Sequence, residues 1–247
     1  MTPEETELRT VRDEVAALEI QLAEAEEELV NGRAEHVRFR DRYLRVVAPL
    51  KARVDELEAR LAEQAASRSP EDMEAARVAR EAGARSARSE RVADPAQPGP
   101  ASSPPPTDEM RALYRRVARL THPDLANNDE DRERRTRLMS RANEAYSAGD
   151  AGLLAQIELE STGSAPLGAA VGDQLVAAIR QRAAARSRLR AVESEMMVLT
   201  SDALSELARR VDEAARRGRD LLAEITAELQ RRVDSLQAEL ASVCEEY

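Results

Sequence analysis

The sequence predicts an all-α protein, with long coiled-coil helices at both ends and a small helical hairpin between them. Three observations predict it. Apolar residues near both ends recur at alternating spacings of three and four, which is the stripe of a helix that packs on another helix. Bulky core-forming residues are scarce, since aromatics make up 2% of the chain, tryptophan is absent and charged residues reach 34%. Such a composition cannot fill a thick globular core and suits long helices. No segment alternates with a period of two, so no strand is expected.

The first helix opens on Thr2-Pro3-Glu4-Glu5, where Thr2 can cap, Pro3 suits the first helical position and Glu5 completes a capping box. Its seam runs through Leu8, Val11, Val15, Leu18, Leu22, Ala25 and Leu29, weakens around Asn31-Gly32, and resumes at Phe39, Tyr43, Val46 and Leu50. Val54, Leu57 and Leu61 continue it after two steps of four, a stutter. Pro49 lies at that junction and predicts a kink or break, because proline lacks the N–H donor and clashes with the preceding turn. His36 falls among Arg33, Glu35 and Arg38, which places it on the charged, solvent-facing side. A coiled coil over 1–66 follows.

Residues 67–106 read as a linker. Ser69-Pro70-Glu71-Asp72 can start a short helix to about Ala93, whose apolar face is nearly all alanine. Six prolines among the thirteen residues 94–106 then predict a semi-stiff disordered stretch.

The hairpin and the helix after it occupy 107–160. Thr107 or Asp108 can cap its first helix. Met110, Leu113, Tyr114, Val117 and Leu120 share one arc of that helix, and Arg111, Arg115, Arg116 and Arg119 share the opposite one. Pro123 stops the helix, Asn127-Asn128-Asp129 is a natural turn, and Leu138, Ala142 and Ala145 stripe the second helix. Gly149-Asp150 ends that helix and caps the next, which carries Leu153, Leu154, Ile157 and Leu159. Ser161 to Gly168 reads as a loop. Over 169–247 a long helix from about Val171 has its seam at Leu189, Val192, Met196 and Leu199. Thr200-Ser201-Asp202 predicts a turn into an antiparallel helical hairpin. The last seam passes through Gly218, which predicts an unbroken helix there.

The run from Met110 to Asp124, MRALYRRVARLTHPD, resembles helix II and the signature loop of a J domain. Asn143-Glu144-Ala145-Tyr146 is similar to the matching part of that domain's helix III. The resemblance implies a co-chaperone that stimulates ATP hydrolysis by a DnaK-type heat-shock chaperone. It would dock through the basic helix, Arg111, Arg115, Arg116 and Arg119, and through the loop His122-Pro123-Asp124. In that family Asp124 would engage a basic group of the chaperone, with His122 and Pro123 fixing an exposed loop. The chain departs from the pattern in three ways. The proline-rich linker stands where helix I is expected, Thr121 replaces a usual aromatic, and Ala142 replaces a larger aliphatic. These changes remove apolar area, so the apolar helix after Asp150 is expected to complete the unit.

Other classes fit less well. The net charge of −10 and pI near 5.0 argue against a nucleic-acid binder, which usually shows a basic footprint. No stretch suits membrane insertion, and the acidic start lacks a signal peptide's apolar core, so a cytoplasmic location is expected. Cys244 is the single cysteine, which excludes an internal disulfide. His122 and Asp124 have no further metal ligands nearby, and no catalytic triad or phosphate-binding loop occurs. We therefore expect no enzyme activity, no catalytic residue, no metal and no cofactor. The coils would bind client proteins, so far of unknown kind, or form a homo-oligomer. The alternative is a structural coiled-coil scaffold whose J-like hairpin stimulates no ATPase.

Overall fold

The computed structural model describes residues 2–93, 105–126, 128–161 and 170–245. Over these it holds nine α-helices and no strand, so the all-α expectation holds. The helices are α1 (Pro3–Val46), α2 (Ala48–Arg68), α3 (Met73–Ala93), α4 (Asp108–Thr121), α5 (Asp129–Ala148), α6 (Ala151–Ser161), α7 (Val171–Ser201), α8 (Ala203–Arg216) and α9 (Leu221–Glu245). Most of the proline-rich segment, 94–104, and the loop at 162–169 lie outside the described residues. The chain divides into two compact units, Met1–Glu35 with Ala101–Asp202, and His36–Pro100 with Ala203–Tyr247.

In the first unit α1 begins with the expected capping box. The Glu5 N–H donates to Thr2 Oγ1 at 3.2 Å, and the Thr2 N–H donates to Glu5 Oε2 at 2.7 Å. The seam of α1 packs on α7: Leu8, Val11 and Val15 meet Ala178, and Leu22 and Leu29 meet Val192. The two helices run in the same direction, since Arg12 bonds Gln174, Glu14 pairs with Arg182, and Arg33 pairs with Glu195. The seam weakens at Gly32 because α7 comes close there. A Cβ at that position would lie 3.2 Å from Leu199 Cδ2. The remaining helices of this unit, α4, α5 and α6, form the small bundle described below.

In the second unit the helix breaks at Val47, and Pro49 lies within the first two positions of α2, where its missing N–H costs nothing. α2 packs on α9 through Val54 and Leu57 against Val233 and Leu236. α3 folds back along α2, and its alanine face is reinforced by polar contacts. Arg85 Nε bonds the buried Asp55 carboxylate at 3.0 Å, and the Ser89 hydroxyl donates to its other oxygen. His36 is not solvent-facing as expected: it is half-buried, with Nδ1 3.0 Å from Ser205 Oγ.

The C-terminal seams pair with N-terminal ones: α7 takes α1 in the first unit, while α8 and α9 pack with the end of α1 and with α2 in the second. One expectation for residues 169–247 needs correction, since the helix breaks at Gly218, which adopts φ +74°. Its N–H bonds Ala215 O at 2.9 Å, and the Arg219 N–H bonds Ala214 O at 3.0 Å, the pattern of a left-handed helix end. Asp220 then caps α9 through the Ala223 N–H at 3.1 Å. The break leaves the stripe intact, since Leu207 and Val211 before it and Leu222 and Ile225 after it join one cluster around Val47.

Candidate partner-binding site

α4 starts on Thr107, whose hydroxyl accepts the Met110 N–H at 3.3 Å. It stops at His122, where Pro123 cannot continue the helical ladder. Pro123–Leu125 forms one 3₁₀ turn, and Asn128 caps α5 by accepting the Asp131 N–H at 2.8 Å. Arg135 on α5 reaches back to the open end of α4, donating to Leu120 O at 3.0 Å. That contact satisfies one of the carbonyls a helix end leaves unpaired.

α4 and α5 lie antiparallel. The Tyr114 and Tyr146 rings pack with centroids 4.4 Å apart, and the Tyr114 hydroxyl donates to Asn143 Oδ1 at 2.7 Å. Burial, with the nearby charge of Glu26 acting the same way, pushes the Tyr114 phenol well above its ordinary pKa. The Asn-Glu-Ala-Tyr segment is thus where the two helices lock. The packing face of α4 is turned slightly from the expected arc: Met110, Tyr114, Val117, Ala118 and Thr121 are buried, while Leu120 is only half-buried. Thr121 fills its place by donating to Val117 O at 2.8 Å, with Met139 Sδ 3.4 Å away.

α6 completes this core. Leu154 and Ile157 are fully buried in the cluster of Tyr114, Val117, Ala142 and Tyr146, with Leu153 packed against it. The sequence expectation of a third apolar layer after Asp150 therefore holds. Gly149 makes the reversal at φ +79°, and Asp150 caps α6 by accepting the Leu153 N–H at 2.9 Å. Arg116 pairs with Glu158 at 2.8 Å and Arg141 with Glu160 at 2.8 Å, tying α6 to both partners.

The loop itself differs from the expected exposed turn. His122 is only 3% exposed. Its Nδ1 lies 3.1 Å from the Asp124 backbone N–H, and its Nε2 lies 3.1 Å from Glu26 Oε1 on α1. A backbone N–H can only donate, so Nδ1 accepts and the ring proton sits on Nε2, facing Glu26. The same Glu26 oxygen takes Arg188 Nε of α7 at 3.1 Å. Pro123 and Asp124 are half-buried, and the Asp124 carboxylate makes no hydrogen bond or ion pair among the described residues.

The four arginines are also partly engaged. Arg115 Nη1 pairs with Glu27 Oε2 at 3.0 Å, and Arg111 Nε lies 3.8 Å from Glu27 Oε1. Arg116 turns to α6, and Arg119 makes no ion pair among the described residues. Glu19 lies close enough to feel the charges of Arg119, Arg135 and His122, yet burial outweighs them and raises its carboxyl above the ordinary range. The Tyr146 hydroxyl donates to Asn31 Oδ1 of α1 at 3.1 Å.

The residues that reasoning from the sequence missed are therefore on α1. Glu19, Ala23, Glu26 and Val30 repeat the seam moved on by one residue, about 100° round the helix. Ala23 is buried in the α4–α6 core and Val30 packs against it. An apolar-periodicity search passes over this stripe because half of it is glutamate. The available signal was complementarity, with the acidic run Glu24 to Glu28 facing a helix that carries four arginines in nine residues.

Among the described residues no cluster of His, Cys, Asp or Glu is arranged to hold a metal, and no helix is long and apolar enough to cross a membrane. Protein-family models, curated protein sequences and solved structures give no match to this chain.

Proposed function

We propose that the chain is a J-domain-type co-chaperone, whose α4–α5 hairpin docks on a DnaK-type chaperone and stimulates its ATP hydrolysis. The observation that carries this reading is the build of the His-Pro-Asp turn. A helix bearing arginines ends on it, His122 Nδ1 braces it from inside, and Asp124 is left half-exposed with no side-chain partner among the described residues. A carboxylate held in a rigid turn without a countercharge suits a basic group on another protein. The arginines beside it suit an acidic surface, where they would steer and orient more than tighten the complex.

The burial of His122 favours a second reading, a coiled-coil scaffold in which the turn serves only internal packing. Single-turnover ATP hydrolysis by DnaK-type chaperones separates the two. Asp124→Asn keeps the shape of the turn and removes its charge, so it should abolish stimulation while helicity and thermal midpoint stay at the wild-type values. If the chain leaves the basal rate unchanged even when Glu26→Gln weakens the contact on His122, the scaffold reading stands.

A further inference from the structure

We infer that α1 is a built-in latch on the His-Pro-Asp turn: its Glu26-Glu27 pair occupies the surface that an acidic partner would take, and it must release before docking. The inference rests on the co-chaperone reading and names the regulation of that same site.

The contacts have the character of a docked ligand. Glu26 binds His122 from the side opposite to its brace on the turn, and Glu27 meets Arg111 and Arg115 on α4. Two carboxylates thus meet the histidine and two arginines of the proposed docking face. Carboxylates are also what an acidic groove on a partner would offer, so the latch and the partner compete for one charge pattern.

The latch is also imperfectly satisfied. Glu26 Oε2 and Arg111 Nε are buried without a hydrogen-bond partner among the described residues. Removing a carboxylate from water without satisfying both oxygens offsets most of what its ion pairs contribute. The apolar part of the contact is small, consisting of Ala23 and the half-buried Val30. By contrast, Leu8, Val11, Val15, Leu22 and Leu29 hold α1 to α7. The core of the hairpin is built on Tyr114, Val117, Ala142, Leu154 and Ile157 of α4, α5 and α6, and α1 adds only Ala23 to it, with Val30 packed against it. Loss of the latch therefore removes the two carboxylates from His122 and the arginines, while α7 still packs beside Pro123–Leu125 and both packed bodies keep most of their own cores.

The test uses the full-length chain in single-turnover ATP hydrolysis with a DnaK-type chaperone. Glu26→Gln combined with Glu27→Gln removes the charges at constant size, and Ala23→Arg wedges α1 off the hairpin by a separate route. Both should raise stimulation several-fold over wild type, because a partner sees only the open fraction. Adding Asp124→Asn to either should return the rate to basal. Amide exchange without chaperone should quicken at Leu125 and Ala126 in both variants and stay slow at Leu154 and Ile157, which also shows that the bundle remains folded. Wild type that already stimulates as strongly as both variants overturns the latch and leaves the co-chaperone reading intact. Exchange that quickens with no stimulation by any variant overturns the co-chaperone reading, and the latch with it.

Discussion

Glu19 carries a charge that the folded chain holds at a cost, and this is testable with one substitution. Burial raises its carboxyl pKa despite Arg119, Arg135 and His122. A carboxyl whose folded pKa lies above its unfolded value destabilises the fold at higher pH, and the penalty fades as pH falls through the raised value toward the ordinary one. Glu19→Gln should therefore raise the thermal midpoint at neutral pH, and only modestly because the side chain is partly exposed. The gain should vanish near pH about 4. Tyr114→Phe should act the other way and lose about 1 kcal/mol in urea melts, because Asn143 Oδ1 loses its donor inside the bundle. At this scale Thr2, Glu5, Gly149 and Asp150 were legible in the sequence, since capping depends only on near neighbours. The burial of His122 was not, because its partner Glu26 is 96 residues away.

At the scale of elements, α6 takes on more than its eleven residues suggest. Leu154 and Ile157 are fully buried against α4 and α5. Ile157→Ala should cost about 2–5 kcal/mol, the range for a large aliphatic deleted from a packed core. Urea denaturation followed by circular dichroism measures it, and a loss below about 1 kcal/mol would mean that α6 is not part of that core. The existence of α6 could be read from its apolar residues, which follow Gly149-Asp150 directly. Gly218 was misread because its stripe continues across the break. A left-handed turn preserved the spacing of apolar residues while ending the helix, and periodicity alone cannot distinguish the two. Gly218→Ala should destabilise by about 1 kcal/mol through its positive φ alone, since open space surrounds the position.

At the scale of the molecule, each N-terminal seam finds a C-terminal one within the same chain: α1 with α7 in the first unit, α2 with α9 in the second. The seams themselves were plain in the sequence. Their pairing was not, because similar Leu/Val stripes can satisfy one another in several combinations. The acidic stripe of α1 belongs to this scale too, since it gains meaning only once α4 lies beside it.

The latch gives the most direct single measurement, because the chain holds only two histidines. Long-range proton–nitrogen NMR of the imidazoles reads the tautomer of His122 and the exchange of its ring proton with water, and His36→Gln assigns the signals. Wild-type His122 is expected as one fixed tautomer, protonated on Nε2 with slow proton exchange. Ala23→Arg should release that proton to rapid exchange. A wild-type imidazole that averages its tautomers and exchanges freely with water would contradict the claim that α1 holds the His-Pro-Asp turn closed.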